Sequence, residues 1–343
     1  MTRWSCAAVR KLRGVLVVLL SIALLGCMHR PAQAEGWELY KARFINAEGR
    51  VRDSGNRNIS HSEGQGWGML FAVAYNDRET FERLWTWTAA NLQRSDLPLF
   101  AWRYDPSQAN PVSDPNNASD GDVLIAWALH NASLRWQEPA YEVASAEIRA
   151  AVDAHLVIAF AGYTLLLPGL EGFKQDTETV VNLSYWIIPA FQQFARLEPE
   201  QAWQSLLDDA PRLLAAARFG VNGLPPDWLA VSEQRPPRPA DGWPPRFGFD
   251  AVRVPLYFKW GRATAAELKP FLDFWSRDGD AVPPAWIDLT SGEQATFGAS
   301  VGVLAIRALL ANQDLPEPAV LADADYYATS LYLLSQLASS GQP

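Results

Sequence analysis

The stretch Asn117-Ala118-Ser119-Asp120-Gly121-Asp122-Val123-Leu124-Ile125-Ala126-Trp127-Ala128-Leu129 decides the fold. From Val123 onward it is apolar on every face, as a helix packed on all sides must be. Such a helix needs a jacket of other helices, and the chain on either side supplies one. Phe81, Leu84, Trp85, Thr88, Ala89 and Leu92 fall at i, i+3, i+4, i+7, i+8 and i+11, giving one apolar face with a wet back. Comparable spacing predicts helices near 65–75, 139–160, 182–196, 200–217, 250–260, 265–276, 296–311 and 325–338. Only 163–167 alternates with period two, so strands should be few and short. The expectation is an all-α domain of roughly ten to twelve helices. Two Pro/Gly-rich segments, 95–119 and 224–246, interrupt it, and loops of that length in a compact domain are usually functional.

Residues 1–34 read as a secretory leader. Arg3, Arg10, Lys11 and Arg13 precede the apolar core 15–25, and Ala32-Gln33-Ala34 is a small-x-small cleavage site. A competing reading makes Leu24-Leu25-Gly26-Cys27 a lipobox, with Cys27 acylated. Either way the apolar core is short for a membrane span, so residues 35–343 are expected to form one domain without a span, periplasmic or secreted. Both cysteines, Cys6 and Cys27, lie in the leader. Disulfides, cysteine nucleophiles and cysteine metal sites are therefore excluded beyond it. The leader also carries five of the 29 Lys+Arg and none of the 38 Asp+Glu, leaving 24 − 38 = −14 for the remainder. So acidic a chain is not expected to bind nucleic acid, whereas a neutral polymer suits it.

Three carboxylates stand out by their surroundings. In Ser62-Glu63-Gly64-Gln65-Gly66-Trp67-Gly68-Met69, the Ser62-x-x-Gln65 spacing fits a capping box, with Glu63 in the first helical turn. A dipole-complementing Glu is the ordinary reading. Three glycines around Trp67 point instead to a close approach by something else. To act as an acid there, Glu63 needs its pKa raised by burial beside Trp67 and by a second carboxylate. Ser119-x-x-Asp122 repeats the capping pattern, which assigns Asp122 to the cap and leaves Asp120 as the site candidate. Asp250, in Phe249-Asp250-Ala251-Val252-Arg253-Val254-Pro255, is placed to pair with Arg253 and can serve chemistry as well. Gly298-Ala299-Ser300-Val301-Gly302 matches a nucleophile elbow, but no His follows His155 to serve it. His61, His130 and His155 show no metal spacing, and neither metal nor organic cofactor is expected.

At these residues the chain resembles glycoside hydrolase family 8, in particular the branch that accompanies bacterial cellulose synthase. The family's aspartate signature is matched by Ala118-Ser119-Asp120-Gly121-Asp122, Ile125-Ala126, Ala128-Leu129, Ala132 and Trp136, with His130 departing from it. SEGQGWGM, Leu167-Pro168-Gly169, Asn182-Leu183-Ser184-Tyr185 and FDAVRVPLY carry the likeness further. The resemblance implies an (α/α)6 barrel with a cleft where the inner helices begin. It implies an inverting endo-β-1,4-glucanase, with Glu63 as general acid and Asp250 as general base acting through water, the carboxyls roughly 6.5–9.5 Å apart. Asp120 would grip the distorted sugar, or, in another description, act as nucleophile. Trp102, Tyr185 and Trp67, with Trp228 behind them, would stack on sugar faces. Arg253 and Asn182 would complete the substrate-binding set. The implied partners are a β-1,4-glucan and the cellulose export machinery. Chitosan, xylan or mixed-linkage glucan would suit the same mechanism, and a non-catalytic glycan-binding subunit would retain the aromatics but need no acid/base pair.

Overall fold

The computed structural model describes residues 32–279 and 281–342. The leader expectation, cleavage after Ala34 or acylation of Cys27, falls almost wholly outside the described residues. Eleven α-helices form among them: α1 (Ala32–Phe44), α2 (Ser62–Ala74), α3 (Arg78–Asn91), α4 (Ser119–Trp136), α5 (Pro139–Leu156), α6 (Ile188–Leu197), α7 (Trp203–Ala216), α8 (Val254–Trp260), α9 (Ala265–Ser276), α10 (Val301–Ala311) and α11 (Tyr326–Ser340). Helices buried nearly throughout (α2, α4, α11 and the start of α8) alternate with amphipathic ones (α3, α5, α7, α9). An inner layer wrapped by an outer one follows, as an (α/α)6 barrel requires. None of the described helices is long and apolar enough to cross a membrane.

Several boundaries differ from the sequence expectation, each for a local reason. The helix read over 139–160 stops at Leu156, and Val157–Phe160 pairs antiparallel with Tyr163–Leu166. Ala161 and Gly162, both at positive φ, make the two-residue turn between them. The stretch 182–196 is broken into a 3-10 turn, Leu183–Tyr185, and α6, because the Asn182 side chain caps Ser184 and Pro189 opens the new helix. Asp250 likewise precedes a 3-10 turn, Ala251–Arg253, ahead of α8. The helix near 296–311 starts only at Val301, capped by Ser300. Helix α1 was not expected at all. Its signal is the buried series Trp37, Tyr40 and Phe44, spaced i, i+3, i+7, in a segment otherwise too polar to register. Tyr40 and Phe44 pack edge-on against Phe71 and Tyr326, respectively.

The capping boxes are also corrected. Helix α2 begins at Ser62 and α4 at Ser119, and neither hydroxyl finds a hydrogen-bond partner among the described residues. Gln65 turns into the core instead. Its Oε1 accepts from Val51 N at 2.6 Å, and its Nε2 donates to Thr88 Oγ1 at 2.7 Å, tying the chain before α2 to α3. Asp122 accepts from Phe100 N at 2.8 Å and Asn117 Nδ2 at 2.6 Å, so it anchors the loop before α4 and does not cap the helix.

Helices α2 and α4 cross closely, and glycine makes the approach possible. A Cβ on Gly66 would lie 2.6 Å from Leu124 Cβ, and one on Gly121 would lie 2.1 Å from Ser62 Oγ and 2.8 Å from Glu63 N. The second contact fixes the start of α2 against the start of α4. Gly121→Ala is expected to force these termini apart and to cost about 1–3 kcal/mol, the usual penalty of overpacking, measured by urea unfolding. An unchanged midpoint would show that the crossing has slack.

Candidate active site

The N-termini of the buried helices converge at one end of the barrel. Glu63 and Asp120 are each the second residue of their helix, Tyr327 is the second residue of α11, and Arg253 directly precedes α8. At the centre lies the Arg253 guanidinium, 3% exposed as a residue. Its Nη1 donates to Glu63 Oε1 in a short contact. Its Nη2 donates to Asp250 Oδ1 at 2.9 Å and Ser184 Oγ at 2.7 Å, and stands 4.0 Å from Asp120 Oδ2. The Trp67 ring lies beneath it at 5.8 Å, close enough for a cation–π contact. Both sequence readings of Asp250 therefore meet here: it pairs with Arg253 and it faces the site.

One positive charge cannot balance three negative ones. Burial first, then the neighbouring Asp120 and Asp250 charges, raise the Glu63 carboxyl well above the usual carboxylate range against the pull of Arg253. Glu63 and Asp120 lie close enough to compete for a proton, and the proximity of Asp120 adds to the upward push on Glu63. Asp120 remains raised by burial, although Arg253, Glu63 and the Gly121 N–H oppose it. Asp250 is raised by burial and restrained by Arg253 and Asn182. Its side chain is 30% exposed, against 17% for Glu63 and 5% for Asp120, so Asp250 has the readiest access to water. The arrangement places a carboxyl pushed well up in pKa and a more water-accessible carboxyl on the two terminal nitrogens of one guanidinium. It suits acid/base hydrolysis.

The aromatic assignments divide. Trp102 is half-buried, its indole N–H bound to Asp114 at 2.8 Å and its ring stacked on His61, and its carbonyl accepts from Ser62 N at 3.1 Å. It therefore stands beside the start of α2. Tyr185 is half-buried near Asp120 and Asp250, with its ring edge toward Trp228. Trp228 is itself stacked between Phe173 and Trp243. Trp67 is a correction. It is 0% exposed and its N–H is bound to Tyr257, so no face is open to a sugar, and it serves as the floor under Arg253. Asn182 accepts from Ser184 with its carbonyl oxygen while its Nδ2 makes no hydrogen bond, leaving that amide toward Asp250. His130 is held by Glu142 at 2.6 Å, in a cluster with Arg149 away from the site.

Three residues escaped the sequence reading. Tyr327 donates to the Phe249 carbonyl beside Asp250, Ser184 holds Arg253, and Asp227 binds the backbone around Asp250. Ser184 stood inside a quoted motif, and Tyr327 opens a buried helix, but nothing local marks Asp227. Among the described residues no group of His, Cys, Asp and Glu is arranged to hold a metal.

Removing Arg253 should expose the charge imbalance directly. Arg253→Met keeps apolar bulk over Trp67 but strands three buried carboxyls, with an expected loss of about 3–5 kcal/mol at neutral pH. Carboxyls with raised folded-state pKa values lose stability as pH rises through those values, so the deficit should shrink toward pH 4. Urea unfolding at both pH values checks this, and a pH-independent deficit would assign the loss to packing alone.

The sequence profile of the glycosyl hydrolases family 8 matches residues 10–341. An endoglucanase of Cellulomonas uda is 40% identical over 304 residues, 89% of this chain and 84% of that protein. The crystal structure of endoglucanase Cel10 from Klebsiella pneumoniae superposes with a TM-score of 0.85 at 42% identity, covering 90% of this chain and 99% of that one. The endo-β-1,4-glucanase CMCax from Acetobacter xylinum gives 0.85 at 40% identity over 90% and 98%. With the matched helices, the acid-rich mouth and this breadth of likeness, the fold is the (α/α)6 barrel and the chain is a glycoside hydrolase that belongs to family 8.

Proposed function

We propose that the enzyme is an inverting endo-β-1,4-glucanase. The observation that carries the mechanism is the pairing of Glu63, whose carboxyl is pushed well above the ordinary range, with a more exposed carboxyl, Asp250, on the two terminal nitrogens of Arg253. Glu63 delivers its proton to the leaving glycosidic oxygen. Asp250 takes a proton from a water that attacks the opposite face of the sugar, and the anomeric centre inverts. Asp120, buried and bound to the Gly121 N–H, holds the distorted sugar in a single displacement that needs no covalent nucleophile. Arg253 loses one ionic partner as each proton moves and gains another, so the site's charge stays matched to the cation through the step.

The β-1,4-glucan assignment draws on the names of the similar enzymes above and on the half-buried aromatics Trp102 and Tyr185 at the mouth. Export and a role beside the cellulose synthesis machinery are part of the same proposal, supported by the leader-like residues 1–34 and the acidity of the remainder.

Cellohexaose hydrolysis followed by proton NMR before mutarotation tests this reading. The new reducing end should appear as the α-anomer, with internal bonds cut, while xylan and chitosan oligomers react far more slowly. Initial β-anomer would require a covalent intermediate, and preference for another polymer would overturn the substrate assignment.

A further inference from the structure

Asp250 stands on a short connection, Gly248-Phe249-Asp250, between the strand Arg246–Phe247 and the 3-10 turn Ala251–Arg253. Phe249 is exposed, and the turn has no side-chain cap of its own. Its free N–H groups are gathered by a residue far back in the chain. Asp227 Oδ1 accepts from Gly248 N at 3.0 Å, Asp250 N at 3.1 Å and Ala251 N at 2.8 Å. Its own N–H donates to the Arg246 carbonyl at 2.8 Å, which closes the clip on the incoming strand. The remaining oxygen, Oδ2, lies 2.6 Å from where a Cβ on Gly248 would stand, so only glycine fits there without disturbing it.

We propose that Asp227 is a positioning residue for the hydrolytic reaction, a remote cap whose three backbone hydrogen bonds aim the Asp250 carboxylate at its water. Asp227 is set beneath the loop, and it takes no part in the proton transfers of Glu63 and Asp250. A base bound to a flexible turn would wander. Three hydrogen bonds to a single carboxyl oxygen remove that freedom two residues before the base, at the base and at the residue after it. The Asp227 carboxyl is pushed up to about 7 by burial and then by the Asp250 charge, consistent with the two carboxyls lying near one another. Tyr327, donating to the Phe249 carbonyl, secures the same connection from α11.

The inference rests on Asp250 being the base, and the test separates the two. Asp227→Ala should lower kcat on cellohexaose by about 10²-fold, the scale of a base displaced by about an ångström, with KM changed little. Asp227→Asn retains an oxygen for the same three N–H groups and should restore most of kcat. Gly248→Ala, which leaves both carboxyls in the sequence but places a Cβ against Asp227 Oδ2, should reproduce the kcat defect by pushing Asp227 off its donors. Melting temperatures of all three identify the folded fraction. An Asp227→Ala enzyme with wild-type kcat, or an Asn variant as impaired as the Ala variant, would overturn the positioning role. Asp250→Asn run alongside should be inactive, and if it turns over normally, the base assignment itself fails.

Discussion

One guanidinium shared by three carboxyls governs this site. Arg253 is buried over Trp67, and its two terminal nitrogens donate to Glu63, Asp250 and Ser184, with Asp120 at 4.0 Å. Buried charges persist only when paired, and one cation can pair with a limited number of anions. The surplus raises the affinity of the carboxyls for a proton, and Glu63, buried and flanked by Asp120 and Asp250, is pushed well above the usual carboxylate range. The proposed acid and the proposed base would thus be set apart by one electrostatic shortage and by their unequal access to water.

The barrel exists to bring those groups together. Helix N-termini favour negative charge, which would ionise Glu63 and Asp120 more readily. That tendency is overridden by the close crossing of α2 and α4, where Gly66 and Gly121 let the two starts touch and drive both carboxyls out of water. The crossing has a cost. Ser62 and Ser119 are left with buried hydroxyls lacking partners among the described residues, in positions where a surface helix would have used them as caps. Local helix-capping energy is given up for a geometry that only the tertiary structure requires.

Much of this was legible in the sequence because the site residues sit in helical punctuation. Glycine beside tryptophan at Glu63, and a Ser-Asp-Gly-Asp step into an all-apolar run at Asp120, are unusual enough to mark themselves. The all-α class followed from apolar periodicity, and the barrel came from family resemblance, since periodicity carries no closure. What was hidden depended on long-range contact. Gln65 looked like a capping residue but reaches Thr88, Asp122 reaches back to Phe100, and Asp227 binds a turn 23 residues ahead. Trp67 shows the converse: its motif suggested a sugar platform, whereas burial makes it the floor beneath Arg253.

The central claim is that the free enzyme keeps a proton on Glu63 to a higher pH than on Asp250. Carbon-13 NMR titration of selectively labelled Glu and Asp carboxyls, with Glu63→Gln and Asp250→Asn used for assignment, measures this most directly. The account predicts a Glu63 carboxyl that stays protonated well above the ordinary glutamate range, and an Asp250 carboxyl that ionises at lower pH than Glu63. Glu63 titrating at or below the ordinary value, or losing its proton before Asp250, would contradict it.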